Sequence, residues 1–472
     1  MSTLEVFSEL PEAASLGKLV RRKYSRIASL EKKLEIFQKI LDLQTQYRQL
    51  LGVKELDRST YEFEGNYERF NQKYNLTIGR TSWDASIQRR IEPTTKNAKL
   101  LADKNVPGYT IFDQALNAGA RIMPSAFNTE INCPNSGFLS WRPLSTPFSE
   151  PSFTGVRLKK LEDVDEAKMS SLIKKVAMWY GASLARITLL DRRWVYSHWY
   201  DENSSPHRNP RIVFSDESGY EEYSKPTQLE DGTLIIPKEM KYVIALGFEM
   251  DYHAMKTAPA PISQAGTNMY GYRTIVQTVT SLAEFIRGLG YNAIPSSNDT
   301  ALNIPLAIDA GLGEDGRLGG LLTPEYGPRV RLAKVITDLP LLPDKPITFK
   351  AHEFCYQCKK CAIKCPSNAL PRGARTSGFE RNDVEAPTIS ENLGPFRWIR
   401  NGERCRTYWA EVGTNCGVCI RVCPWNKPSG FLHSLAKWTA INGGPQARRI
   451  LIKLDDMLGY GKQMRADEWW NS

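Results

Sequence analysis

The stretch CYQCKKCAIKCP (355–366), joined after a gap by Cys405 and by CGVCIRVCPWNK (416–427), decides how the rest of the chain is read. Its spacing is Cys355-x2-Cys358-x2-Cys361-x3-Cys365-Pro366, then Cys405-x10-Cys416-x2-Cys419-x3-Cys423-Pro424. The first half is the spacing of two-cluster bacterial ferredoxins. Thiolate sulfur is the soft donor that iron-sulfur clusters require, and in this arrangement one loop rings a cube with three thiolates while the fourth crosses to the other cluster. Cys355, Cys358, Cys361 and Cys423 are therefore assigned to one 4Fe-4S cluster, and Cys365, Cys405, Cys416 and Cys419 to a second. A pair of zinc sites is the alternative, but zinc takes separate CxxC pairs and seldom this run. Eight of the nine cysteines lie in this segment, so a disulfide framework, which belongs to short secreted chains, does not fit. Cys133 stands apart and reads as a buried or idle thiol.

At 472 residues the chain exceeds what one core holds, so two or three structural units are expected. A formal net charge of +10 raises nucleic acid or an anionic membrane surface as partners. No Lys/Arg block with interleaved aromatics accompanies it; the densest run, KLVRRKYSR (18–26), reads as the solvated face of a helix, so no nucleic-acid partner is expected. No stretch approaches the ~18 to 20 apolar residues of a membrane span. The opening residues, MSTLEVFSEL, show no basic region followed by an apolar core, and Arg21-Arg22 is not followed by one either.

Leu30, Leu34, Ile36, Phe37, Ile40, Leu41 and Leu43 recur at helical spacing and predict amphipathic helix near the start. The pattern then becomes irregular and aromatic and closes on PLSTPFSEPSF (143–153), so 1–158 reads as an N-terminal covering unit. A helix and strand over 162–191 give way to an excursion and resume at 241 with YVIALGFEM, a long helix near 272–289, the Ala-rich NIPLAIDAGLG and a strand around 329–337. This predicts a core of α/β or α+β class from 159–195 and 241–345, interrupted by an insertion at 196–240. The iron-sulfur segment occupies 346–428, and a helical unit at 429–472 packs back on the body.

Two further features bear chemistry. GLGEDG (311–316) fits Gly-x-Gly-x-x-Gly, but a helical segment and not a strand precedes it, so it reads as a tight loop able to approach a large cofactor and not as a nicotinamide site. Asp251-Tyr252-His253 follows a strand end, where α/β cores place side chains that act on ligands. A tyrosine pKa of about 10 keeps the proton available at neutral pH for a developing carbanion, and a nearby cation such as Arg317 would steady the phenolate left behind. A buried structural tyrosine is the competing reading.

The ferredoxin pair ending in CGVCIRVCPWNK, with DYH, SSNDTALNIPLAIDAGLGEDGR (296–317) and YGPRVRLAKVITDLPL (326–341), resembles the corrinoid-dependent reductive dehalogenases of organohalide-respiring bacteria. Epoxyqueuosine reductase is similar more distantly. The resemblance implies a nitroreductase-like core holding cobalamin or a related corrinoid, fed by two 4Fe-4S clusters. It carries the proton donor onto Tyr252, its cationic partner onto Arg317, substrate-pocket walls onto Tyr109 and Trp398, and corrinoid contacts onto Ser297, Asn298, Thr300, Gly311, Gly313 and Gly316. The absence of an Asp-x-His-x-x-Gly stretch agrees with a base-off corrinoid.

The same resemblance implies a small organohalide substrate, a membrane-bound anchor or electron donor, room for a homodimer, and a peripheral place on the outer face of the cytoplasmic membrane after export by a twin-arginine leader not present in this chain. The rival readings are an epoxyqueuosine reductase acting on tRNA, with Asp251 as its acid, and a simple iron-sulfur electron-transfer protein.

Overall fold

The computed structural model of the chain describes residues 30–63, 65, 67–131, 141, 160–200, 208–379 and 388–472. The basic run 18–26, Cys133 and the segment 143–153 lie outside the described residues.

The core is a four-stranded sheet of β1 (Leu184–Leu189), β2 (Tyr242–Glu249), β3 (Ala293–Ser296) and β4 (Val330–Thr337), in the order β1-β2-β4-β3. Every pairing is antiparallel, so the alternation of helices and strands in the chain belongs to an α+β core and not to a parallel α/β sheet. Strand side chains alternate between faces, and both faces here are apolar. Leu184, Val243, Ala245, Ile294 and Ile336 face one side, while Ala185, Ile187, Ile244, Leu246, Phe248 and Val335 face the other. The second face is covered by α1 (Glu166–Tyr180) and α2 (Arg273–Gly288), through Ile173, Val176, Val279, Leu282 and Ile286. Asp165 caps α1 by accepting from Lys168 N at 3.0 Å, and Gly181 ends it at φ +123°, where a Cβ would stand 2.7 Å from Thr274 Cγ2. Only glycine suits that position. Truncating a central side chain such as Ile244 to alanine would cost about 2–5 kcal/mol.

The first face is covered by α3 (Asn303–Asp309) and by the 196–240 excursion, which forms a small sheet of Ile212–Phe214, Leu234–Ile236 and Thr227–Gln228. Helix Leu30–Leu51 lies against α1, with Phe37 and Ile40 on Met178. Its buried Arg48 donates to Glu325 Oε1 at 2.6 Å and to the carbonyl of Gly311 at 2.6 Å, so this helix fastens the glycine loop.

The glycine loop closes on the protein itself. A Cβ at Gly311 would meet Lys345 O at 2.1 Å, and one at Gly313 would meet Leu322 O at 1.9 Å. At Gly316 it would meet the Leu322 side chain at 2.8 Å. The loop continues as the short strand Glu314–Gly316 paired with Gly320–Leu322. The close neighbours of these glycines within the protein are backbone carbonyls at Gly311 and Gly313 and the Leu322 side chain at Gly316.

The iron-sulfur segment has its own apolar centre in Leu51, Phe349, Phe354, Trp398, Trp425 and Ile441. The C-terminal helices Phe431–Asn442 and Gly444–Met457 pack against it. Residues beyond them reach the core: Gln463 Nε2 donates to Thr257 O at 2.9 Å and Met464 N to Lys256 O at 2.9 Å.

Candidate active site

Both cysteine loops turn on a residue in the left-handed region, Lys359 at φ 51° between Cys358 and Cys361, and Gly417 at φ 68° between Cys416 and Cys419. The reversals turn successive thiols toward one void. Cys355, Cys358, Cys361 and Cys423 line a cavity bounded by Arg317, Phe354 and Trp425. The charges the thiols feel come mostly from within each of the two sets. Burial raises Cys423 well above the usual thiol range, with Cys355 and Cys358 adding to it. Burial likewise pushes Cys416 up to about 12, with Cys419, Cys405 and Cys365 as its thiol neighbours. Cys361 feels Cys419 as well as its own set, so the two rings adjoin. None of the eight thiols is in a disulfide. Among the described residues no group of three His, Cys, Asp or Glu side chains closes on a single ion.

β2 ends at Glu249, and the chain turns at Met250 and Asp251 into the helix Tyr252–Lys256. Asp251 caps that helix, accepting from Ala254 N at 2.7 Å, so its carboxylate is engaged in holding the turn. Tyr252 follows, nearly buried, with the Arg329 guanidinium carbon 5.5 Å from its ring centre and His253 edge-on at 5.3 Å. Burial pushes the phenol up to about 12; Arg329 opposes that shift, and Tyr460 and Asp455 of the C-terminal unit add to it. Arg329 is itself fixed by Glu249 Oε1 at 2.6 Å, Met250 O at 2.5 Å and Asn426 Oδ1 at 3.1 Å.

The helix also meets the second thiol ring: Met255 packs with Met250, Ile420 and Cys419, and Arg421 donates to Ala258 O. Tyr252 is thus bracketed by the sheet, by the loop after Cys423 and by the loop that carries Cys416 and Cys419.

Arg317 is not the cation placed on Tyr252. Its Nε donates to Cys355 O at 3.0 Å, and its Nη1 to Pro371 O and Gly373 O at 2.8 Å each. Its guanidinium lies 4.8 Å from the Trp398 ring centre. These carbonyls hold it at the wall of the first thiol ring, and Arg329 takes the place beside the phenol.

Trp398 is fully buried in the iron-sulfur centre between Arg317, His352 and Tyr356. Tyr109 faces the other ring: its hydroxyl donates to Pro259 O at 2.9 Å, and burial followed by the charges of Tyr408 and Cys416 raises its pKa far above the ordinary value. The two proposed pocket walls therefore stand at different thiol rings. Ser297, Asn298 and Thr300 form a turn with Thr300 at φ 61°, in which Ser297 N donates to Asp299 Oδ1 at 2.8 Å and Lys334 Nζ to Asp299 O at 3.0 Å. Of this turn only Asn298 is exposed.

Sequence reasoning missed Arg329, Asn426 and Tyr460. Asn426 carried a signal, since it belongs to the Cys-Pro-Trp-Asn ending, but its role as holder of a distant arginine has no local signature. A buried polar group of the same kind, Asn268, opens a π-helical turn, Asn268–Tyr272, and its Nδ2 has no partner. Such turns occur frequently at functional sites.

Residues 354–426 match the family model of a 4Fe-4S double cluster binding domain, and residues 218–341 that of a reductive dehalogenase subunit. Tetrachloroethene reductive dehalogenase of Sulfurospirillum multivorans is 34% identical over 370 residues, which is 75% of this chain and 70% of the relative. The enzyme of the same name from Desulfitobacterium hafniense is 34% identical over 407 residues, 79% of this chain and 72% of the relative. A solved reductive dehalogenase whose structure suggests a mechanism for B12-dependent dehalogenation superposes with a TM-score of 0.50 at 27% identity, covering 65% of this chain and 40% of that one. A catabolic reductive dehalogenase in complex with 3-bromo-4-hydroxybenzoic acid gives a TM-score of 0.58 at 21% identity over 87% of this chain and 49% of that one. The chain spans about half the length of these solved relatives. Fold, thiol rings and relatives together define an oxidoreductase with two iron-sulfur clusters. The chain belongs to the reductive dehalogenase family.

Proposed function

We propose that this protein replaces carbon-bound halogen by hydrogen in a small organohalide, taking up two electrons and one proton and releasing halide. The observation that carries the reading is Tyr252, a buried phenol with its proton held at neutral pH, lying between Arg329 and the loops of two cluster-binding thiol rings. A corrinoid supplies, when bound, a cobalt centre able to take electrons and activate the carbon–halogen bond. The fit to such an amide-bearing cofactor rests on buried amides without partners, Gln114 Nε2, Asn117 Oδ1 and Asn268 Nδ2, on the helices packed around the Tyr252 turn.

The chain's own groups supply the rest. Cys355, Cys358, Cys361 and Cys423, and Cys365, Cys405, Cys416 and Cys419, would hold the two clusters. Tyr252 keeps its proton until a carbanion-like carbon develops, because burial disfavours its phenolate in the resting state. Arg329 lowers the cost of that phenolate once the proton has left. Burial around Tyr252 keeps bulk water from competing as the donor. Because relatives at 34% identity are named tetrachloroethene reductive dehalogenases, small chlorinated alkenes are the first substrates to try. By resemblance we place the protein at the outer face of the cytoplasmic membrane with a membrane-bound donor; no helix among the described residues is long and apolar enough to cross a membrane.

A stretch of 125 residues is 32% identical to epoxyqueuosine reductase of Bacillus cereus. The acid that reading needs, Asp251, is engaged as a helix cap. The test incubates reduced, corrinoid-loaded protein with chlorinated ethenes, ethanes and phenols and measures halide. Halide release with a matching dehalogenated product is expected; reduction of epoxyqueuosine with no halide from any of the series would overturn the proposal.

A further inference from the structure

We infer that electrons enter through a cationic face over the thiol rings, and that its partner is a one-electron carrier domain with an acidic rim. The inference rests on the clusters and not on which substrate lies beyond them.

From Phe354 to Phe379 the chain carries Lys359, Lys360, Lys364, Arg372 and Arg375 and not one Asp or Glu. Lys360 and Arg375 turn inward, to Asp455 and Asp456 and to Asp315 respectively. Lys359, Lys364 and Arg372 are exposed. Around Cys405 stand Arg400, Arg404 and Arg406, and the one acid between them, Glu403, is held by Arg80 and Arg90.

These two stretches meet. Asn401 N donates to Ala369 O at 2.9 Å, Arg404 Nη1 reaches Asn368 O at 3.4 Å, and Ala369 N donates to Cys365 Sγ at 3.3 Å. The exposed Arg400 acts on the charges of both Cys405 and Cys419, and Lys359 lines the cavity of the first ring. Two apolar side chains stand among these cations, Tyr356 at 41% exposure and Ile363 at 56%.

A few apolar contacts within a ring of like charge suit a brief encounter steered by charge, and complementary charge fixes the partner's sign as negative. A carrier domain suits the face better than a lipid surface, because the cations border cluster-binding thiols and the apolar contribution is two side chains, not a helix face. Each encounter oxidises the donor by one electron and reduces one cluster by one, and no bond is made or broken.

The test uses the full chain with both clusters in place and an acidic flavodoxin, reduced to its hydroquinone, as probe. The rise of the flavodoxin semiquinone absorption in stopped flow gives the rate without any dehalogenation assay. For wild type the second-order rate should fall steeply with salt. Lys364→Glu with Arg372→Glu should lower it at least about tenfold at low ionic strength, while Lys364→Arg keeps it. Iron and sulfide content, and the bleaching reached with excess titanium(III) citrate, should match wild type in every variant, which separates lost docking from lost clusters. Equal rates in the charge-reversed and wild-type proteins, or rates indifferent to salt, would overturn the inference. So would lost binding to anionic phosphatidylglycerol vesicles in the charge-reversed protein with an unchanged rate of electron transfer from flavodoxin, since the face would then serve a membrane. If docking behaves as expected but no organohalide is turned over, the proposed activity fails and this inference stands.

Discussion

The Arg329 guanidinium lies 5.5 Å from the Tyr252 ring centre and is held at Nε by Asn426, three residues beyond Cys423, at 3.1 Å. Phenol, cation and cluster loop form one chain of contacts. Arg329→Met should leave burial in place and remove the opposing charge, raising the Tyr252 pKa beyond its present value of about 12 and making the phenolate costlier. Turnover should fall on the order of 10²-fold, comparable to losing a preorganised donor to a developing anion, with iron content unchanged. Arg317→Met should instead disturb the electron paramagnetic resonance signal of the first cluster, since its partners are the carbonyls of Cys355, Pro371 and Gly373. Kinetics and metal analysis of the pair decide it: a large loss in Arg317→Met with intact clusters, and none in Arg329→Met, would reverse the assignment.

Tyr252→Phe keeps the ring and its packing on Arg329 and removes only the hydroxyl. Iron, sulfide and corrinoid contents should match wild type while turnover drops by about 10²- to 10⁴-fold, the usual contribution of a positioned proton donor. Because the phenol titrates near 12, it should impose no alkaline limb on the rate between neutrality and the limit of protein stability. Normal turnover by the phenylalanine variant would remove Tyr252 from the reaction.

The crossed thiol sets predict where damage falls. Cys423→Ser should lower iron from about eight to about four per chain and spare the cluster held by Cys365, Cys405, Cys416 and Cys419. Cys405→Ser should do the converse. Spectra of the two variants should add to that of wild type. Loss of the same cluster in both would mean that the rings are not crossed.

The parts legible from sequence were those set by short spacing. The cysteine run announces its ligation because Cys355 to Cys365 share one loop, and β4 was placed within a residue of its observed start because its apolar run is long and bounded. The sheet's antiparallel order was not legible, since the β2–β4 pairing joins strands some 80 residues apart across loops that give no hint of direction. Arg329 is not legible as the cation beside the phenol for the same kind of reason. Arg317 and Arg329 both follow glycine-bearing loops, and only packing decides that one guanidinium meets the Cys355, Pro371 and Gly373 carbonyls while the other meets the phenol. The glycine spacing at 311, 313 and 316 suggests a tight loop, but composition cannot say that its close neighbours within the protein are Lys345 O and Leu322.

Lys334 of β4 gives a prediction about stability. It is fully buried, and its ammonium donates to Ser297 O at 3.2 Å, Asp299 O at 3.0 Å and Asn303 Oδ1 at 2.9 Å, tying the 297–303 turn to the sheet. Burial lowers its pKa from 10.5 to about 7, with Asp299 opposing. Between those two values the unfolded chain holds a proton that the folded chain releases, so stability should rise with pH across that window, the full burial cost being present below it. One such group contributes a slope of up to about 1.4 kcal/mol per pH unit. Lys437, also lowered to about 7 by burial, adds in the same direction, whereas His352, raised by Asp315 and Glu314 against the effect of burial, works against it as pH rises above the ordinary histidine value. Anaerobic urea unfolding at several pH values from 7 to 9, in wild type and in Lys334→Met, separates these contributions. The variant should lose part of the upward slope while gaining stability at the acid end relative to its own alkaline value. Identical slopes in the two proteins would show that Lys334 keeps its proton in the fold, held by its three oxygen acceptors.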